Sequence, residues 1–176
     1  LRDAIAIRPA RAEDGEAIDQ VIRAAFASTE FGHQGEADLV RMLETDGDVM
    51  VSLVAEAGGA IVGHVLFSRM DVEADGGAIT AAGLAPVSVV PDRQGQGIGD
   101  ALICAGLDDL RSRGVAMSFV LGHETYYPRF GYLPDLGARF ASPFAGPHFM
   151  AMMLDSNAAW PQGGRADYAP AFGRLG

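Results

Sequence analysis

The chain has 176 residues, 49% of them hydrophobic and 20% charged, enough for one well-cored domain and too few for two ordinary ones. Its formal net charge of −10 argues against nonspecific binding to nucleic acid or anionic lipid, and its apolar content argues against disorder. No apolar run approaches about 18 residues and no charged-then-apolar leader opens the sequence, so a cytoplasmic, non-membrane location is expected. The first residue is Leu1 rather than an initiator methionine. The single cysteine, Cys104, has no internal partner and falls in a helical pattern, where it reads as a small core residue. The four histidines are scattered and no H-E-x-x-H occurs, so no metal site is expected.

In chain order, Ile5-Ala6-Ile7-Arg8-Pro9 reads as a first strand. Over 12–27, Ile18, Val21, Ile22, Ala25 and Phe26 recur at helical spacing behind an acidic first turn. A polar break at 28–35 precedes a second helix over 36–45, with Leu39, Met42 and Leu43 on one face. Two β-like runs, 50–57 and 61–72, are hinged at Gly58-Gly59, and a third covers 78–90. A helix over 98–113 carries a wide apolar arc of Ile98, Leu102, Ile103, Ala105, Leu107 and Leu110, with Arg111 and Arg113 in its last turn and Gly114 at C′. A short buried strand at 117–121, a short helix at 124–130 and a late strand at 149–154 follow. Beyond Leu154 the composition turns to Gly, Pro and Asn, yet Trp160, Tyr168 and Phe172 argue that the extension 155–176 packs on the rest. The order β-α-α-β-β-β-α-β-α-β-β predicts a single α/β domain over 1–176 with a mixed sheet and no internal repeat.

The most informative stretch is Val87-Ser88-Val89-Val90-Pro91-Asp92-Arg93-Gln94-Gly95-Gln96-Gly97-Ile98-Gly99-Asp100. A strand-like run ends at Pro91, glycines alternate at 95, 97 and 99, and a helix opens at once. Amides leading into a helix N-terminus, which carries about half a positive charge, suit a phosphate or pyrophosphate. The dinucleotide fingerprint G-x-G-x-x-G/A fails, because Asp100 or Leu102 stands where its last glycine belongs. The nucleoside-triphosphate loop needs a lysine, and all 13 basic residues here are arginine. What fits is Gln/Arg-x-x-Gly-x-Gly/Ala, as Gln94-Gly95-Gln96-Gly97-Ile98-Gly99. Downstream, Tyr126-Tyr127-Pro128-Arg129-Phe130-Gly131-Tyr132 contains Tyr-x-x-x-Gly-aromatic, separated from the glycine run by one helix and one strand.

Both motifs, in this order, resemble those of the GNAT superfamily of N-acetyltransferases. The Tyr-Tyr doublet, Gly35-Glu36-Ala37-Asp38-Leu39-Val40 and Tyr168-Ala169-Pro170-Ala171-Phe172 further resemble the YhbS-type branch of acetyltransferases. The resemblance implies a GNAT fold: a mixed, mostly antiparallel sheet splayed at the cofactor-binding strand and flanked by about four helices. It implies acetyl-CoA as cosubstrate, with the pyrophosphate on the amides of Gln94, Gly95, Gln96, Gly97, Ile98, Gly99 and Asp100. Val87, Ser88 and Val89 would align the pantetheine and polarise the thioester carbonyl, and Tyr127 would protonate the leaving thiolate. Tyr126 reads as the core member of the doublet. One departure stands out: many relatives carry a cofactor-contacting Asn after the fifth strand, where this chain has Gly122-His123-Glu124-Thr125.

Candidate bases for the acceptor amine are Glu30, His33, Glu36, His123 and Glu124. Glu36 is the first choice because it opens a helical pattern that would hold it firmly. An acidic residue in a first helical turn is, however, also favourable with no catalytic role. His64, inside a strand pattern, reads as structural. No Gly-x-Ser-x-Gly setting is present, so a covalent acyl-enzyme is not expected. The reading is acetyl transfer to a small-molecule or peptide amine by direct attack in a ternary complex. The acceptor is expected to lie between 28–38 and 122–127. The alternative is a GNAT-fold module that binds or senses acyl-CoA without turnover. Nucleic acid and membrane are not expected as partners, and homodimers are common in the family.

Overall fold

The computed structural model describes residues 3–27 and 35–174. Strand β1 (Ile5–Pro9) passes through a 3₁₀ turn at Ala12–Asp14 into helix α1 (Gly15–Phe26), and helix α2 (Gly35–Asp46) follows. The start of this unit is fixed by charge. The Arg8 guanidinium donates to Asp14 at 2.8 and 3.1 Å and to Glu56 at 2.9 Å, while the Arg11 N–H donates to Asp14 at 2.7 Å. Arg8 and then the Arg11 amide hold the Asp14 carboxyl down at about 2. Most of the polar break expected at 28–35 lies outside the described residues, Glu30 and His33 included, and Gly35 already belongs to α2.

Strands β2 (Val49–Ala57), β3 (Ala60–Ala74) and β4 (Gly77–Val89) form an antiparallel meander. Helix α3 (Ile98–Ser112) crosses back to β5 (Met117–Leu121), which lies parallel to β4. The chain then forms a 3₁₀ turn at Tyr127–Phe130 and a one-turn helix α4 (Pro134–Gly137). Strands β6 (Phe140–Ala141), β7 (Phe149–Met153) and β8 (Gly164–Tyr168) complete the sheet, and a 3₁₀ turn occupies Pro170–Arg174. The main path is β1-β2-β3-β4-β5-β7, with β8 paired to the far end of β3 and to β6. This is the mixed, mostly antiparallel sheet expected, with four helices around it among the described residues. No described helix is long and apolar enough to cross a membrane.

The period-2 alternation of the strands divides the core between the faces. Leu53, Val65, Phe67 and Leu84 pack with Leu102, Ile103, Leu107 and Leu110 of α3. Val54 and Leu66, on the opposite face, pack with Ile18 and Ile22 of α1 and Leu39, Val40 and Leu43 of α2. A third cluster around Phe119, Phe140, Phe149 and Leu136 extends towards β8. Complete burial of one such side chain contributes about 1.5–3 kcal/mol. Helix α3 sits so close to the sheet that a Cβ on Gly106 would lie 2.2 Å from the Phe67 ring.

Two readings of the sequence need correction. Cys104 is exposed rather than a core residue, because it falls outside the buried arc of α3. Residual burial and then the charges of Asp108 and Asp100 push its thiol pKa up. The helix expected over 124–130 shrinks to the 3₁₀ turn Tyr127–Phe130, ended by Gly131 at φ 110°. Only one late strand is located by pattern. Gly164–Tyr168, only five residues long and set in a Gly- and Pro-rich stretch, pairs with β3 from Met70↔Tyr168 to Ala74↔Gly164.

The feature that positions the site is a break in the sheet. The β4–β5 ladder runs only from Ala81↔Met117 to Leu84↔Val120. Strand β4 shifts register there and stays paired to β3 as far as Gly63↔Val89. Val87, Ser88 and Val89 therefore have one edge joined to β3 and the other unpaired.

Candidate active site

The unpaired edge of β4 leads straight into the glycine run. Gly95 and Gly97 adopt φ of 75° and 83°, a region that costs an L side chain about 1–2 kcal/mol. A Cβ on either would meet nothing within 4 Å, so these glycines serve backbone conformation and leave open space above the loop. Gly99 has no such constraint. Gln94 donates from Nε2 to the Val89 carbonyl at 2.9 Å and Gln96 to that of Asp92 at 3.4 Å, so both side chains tie the loop to itself. Gly97 is the N-cap of α3, and the first N–H groups of a helix have no partner within it. Loop and helix end thus present amides towards a cavity of about 360 Å³.

Arginines also line this cavity. Arg93 and Arg129 border it with Asp100 and Tyr126. Their ion pairs are long: Arg93 to Asp3 at 3.6 Å and Arg129 to Asp100 at 3.5 Å. The Arg129 guanidinium lies 4.5 Å above the Tyr126 ring centre and donates to the Tyr126 carbonyl at 3.1 Å. Tyr126 donates to the Asp100 carboxylate at 2.6 Å, and burial followed by that bond raises its pKa. Tyr126 is therefore not the plain core residue its sequence context suggests. Its ring packs against the core, but its hydroxyl belongs to the glycine-loop cavity. Sequence reasoning overlooks Arg93 and Arg129 as lining groups. In a chain without lysine, an arginine two residues after Tyr127 was the available signal.

Tyr127 is half-buried and packs edge-on against Tyr126 and Tyr132, their ring centres 5.0 and 6.0 Å away. Burial raises its pKa, so it holds its proton at neutral pH. Its hydroxyl takes no hydrogen-bond partner among the described residues. The ring reaches this place because residue 122 is glycine: a Cβ there would come within 2.3 Å of it. The departure from asparagine seen in the sequence thus coincides with space occupied by Tyr127. Tyr132, by contrast, is fully buried and bonds Ser118 at 2.7 Å.

Val87 and Val89 pack on the α3 side of β4. Ser88 lies opposite His64 in the ladder, buried and with Oγ unpartnered among the described residues. His64 is fully buried, meets Ser52 Oγ at 3.0 Å, and is pushed down to about 4 by burial. It is neutral near pH 7 and structural. Glu36 stands in the first turn of α2, half-buried, with Oε2 enclosed and unpartnered among the described residues. His123 and Glu124 are exposed, and the His123 carbonyl accepts from the amides of Tyr126 and Tyr127. Among the described residues no cluster of His, Cys, Asp and Glu could hold a metal ion.

A sheet broken beside a strand that runs into an open amide loop defines the acetyltransferase class expected from the motifs. The family profile "Acetyltransferase (GNAT) domain" matches residues 6–134. The chain is 40% identical over 136 residues to "Uncharacterized N-acetyltransferase YjhQ" of Escherichia coli K12, covering 74% of this chain and 75% of that protein. It is 37% identical over 120 residues to "Uncharacterized N-acetyltransferase YhbS" of the same strain, covering 68% of each. Among solved structures it is similar to a Brucella melitensis GNAT family acetyltransferase in complex with acetyl-CoA. The TM-score is 0.80 at 35% identity, with 97% of this chain and 99% of that one covered. The Escherichia coli YhbS structure in complex with CoA gives a TM-score of 0.83 at 30% identity, over 100% and 94% of the two chains. The chain belongs to the GNAT acetyltransferase family, and it is an acetyltransferase enzyme.

Proposed function

We propose that this enzyme transfers acetyl from acetyl-CoA to a primary amine by direct attack in a ternary complex. The observation that carries the reading is the continuous run from the unpaired edge of β4 into the open, positive-φ glycine loop. A loop with open space above Gly95 and Gly97 and arginines on its rim fits a pyrophosphate. The two similar structures that hold acetyl-CoA and CoA support that ligand. The amides from Gln94 to Asp100 would hold the diphosphate, with Arg93 and Arg129 exchanging their long carboxylate pairs for phosphate. The free backbone edge at Val87, Ser88 and Val89 would align the pantetheine and polarise the thioester carbonyl.

In the transfer, the amine nitrogen forms a bond to the thioester carbon and the carbon–sulfur bond breaks. Tyr127 gives its proton to sulfur and regains one from solvent. Glu36 takes the proton that the nitrogen loses and releases it to solvent. An unpartnered carboxylate oxygen and a phenol held protonated suit these opposite roles. Acceleration would come chiefly from positioning and from the preformed amides.

The test is twofold. Acetyl-CoA should raise the melting temperature where NAD does not, and free thiol should appear from acetyl-CoA only when an amine panel is added. Stabilisation by NAD, or thiol release indifferent to every amine, would overturn the proposal.

A further inference from the structure

Tyr168 lies on β8, far from both motifs in sequence, yet it meets the sheet where the sheet divides. Gly83 pairs with Phe119 one residue before the β4–β5 ladder ends, and a Cβ on Gly83 would fall 2.7 Å from the Tyr168 ring. The neighbours of Gly83, Ala82 and Leu84, face the α3-side core, so Gly83 and Tyr168 face the other way. Tyr127 packs on the α3 side. The two phenols therefore flank the same break from opposite faces. Burial, and then the nearby Tyr127 phenol, raise the pKa of Tyr168, so it too stays protonated at neutral pH.

The Tyr168 ring is boxed by Phe144, Phe149 and Phe172, with ring centres 5.4, 6.4 and 4.8 Å away. Its hydroxyl is buried and bonds to nothing among the described residues. A phenylalanine would fill that box without an unsatisfied polar atom, so packing alone gives no reason for the oxygen. The turn directly after it packs on α2, whose first turn carries Glu36 with its own enclosed and unpartnered carboxylate oxygen. The oxygens of Tyr168 and Glu36, with the Oγ atoms of Ser68 and Ser88 that are also unpartnered among the described residues, thus lie on the face of the sheet away from α3.

We infer that the Tyr168 hydroxyl binds the acceptor, taking a hydrogen bond from the amine N–H and aiming the nitrogen lone pair at the thioester carbon, an inference that rests on the transfer reading above. No proton leaves or reaches Tyr168 in this role. Tyr127 serves the departing sulfur and Tyr168 the arriving nitrogen, one on each side of the break.

Tyr168→Phe keeps the ring contacts and removes only the oxygen. It should lower kcat/KM for the amine about tenfold or more, the scale of one lost hydrogen bond, leave acetyl-CoA affinity unchanged and not lower the melting temperature. A crystal structure with acetyl-CoA should place Tyr168 Oη within about 5 Å of the thioester carbon, room for one hydrogen-bonded nitrogen. Wild-type kcat/KM in the phenylalanine variant, or a hydroxyl walled off from the thioester, would overturn this inference while leaving acetyl transfer intact. A wild-type enzyme that releases no thiol with any amine would remove the transfer reading, and this inference with it.

Discussion

The two sides of the divided sheet are built on different plans. The proposed cofactor side is mostly backbone: an unpaired strand edge, a loop with two left-handed glycines and a helix end, contiguous from Val87 to Asp100. The proposed acceptor side is made of side chains from distant segments, Glu36 on α2 and Tyr168 on β8, each with an oxygen enclosed and unpartnered among the described residues. A site made of amides depends on local conformation and tolerates varied side chains. A site made of side chains needs tertiary structure to assemble it, and is where specificity among acceptors can change without disturbing the loop.

The contrast can be broken by damaging one side and reading the other. The largest effect is expected from Gly97→Glu, which forces an L residue to a φ of 83° and puts an anion in the loop. Acetyl-CoA at a hundred times its wild-type Kd should add about 2.7 kcal/mol to wild-type stability and nothing to the variant. An undiminished thermal shift would move the cofactor elsewhere. Glu36→Gln should slow transfer about a hundredfold, the lower end of a lost general base, with acetyl-CoA affinity unchanged in titration calorimetry. Wild-type turnover would take Glu36 out of the reaction.

Gly164→Ala tests the dependence on the tail. A Cβ there would lie 1.8 Å from the Glu73 carbonyl oxygen, a backbone clash that β3 and β8 can relieve only by parting. Destabilisation on the order of 3 kcal/mol is expected, with amine transfer reduced about tenfold and acetyl-CoA binding retained. Binding lost in step with activity would show that the two sides are not separable.

The smallest effect concerns the layer joining them. Unfolded His64 takes a proton below about 6.5, whereas the folded form stays neutral down to about 4. The unfolded state binds more protons in that interval, so stability should fall as pH drops from 6.5 to 4, by on the order of 3 kcal/mol. His64→Gln should flatten this slope in pH-dependent denaturation. A separate fall between 3.8 and about 2, where Asp14 loses its ion pair with Arg8, should persist in that variant. An identical slope in both proteins would assign it to other groups.

The same contrast governs what could be read from the sequence. Helices α1 and α3 and the meander β2–β4 announce themselves because their periodicity is local and uninterrupted, and the glycine run carries its own geometry. Residues whose role depends on a distant neighbour are less legible. Tyr126 reads as core because its bond to Asp100 joins two motifs across a helix and a strand. Cys104 reads as buried because composition ignores its place around α3. Gly83 and Gly122 look unremarkable until Tyr168 and Tyr127 occupy the space beside them. Strand β8 is only five residues long and follows a Gly- and Pro-rich stretch, so pairing with β3 defines it more than its own pattern.

The most direct test of acetyl transfer through this site is Tyr127→Phe, assayed for amine-dependent thiol release and, in parallel, for acetyl-CoA affinity. The ring and its packing survive, and only the proton donor is lost. The expected result is affinity within twofold of wild type and turnover lowered about a hundredfold, within the range of a lost general acid. Wild-type turnover in the variant would contradict the account and leave Tyr127 a packing residue.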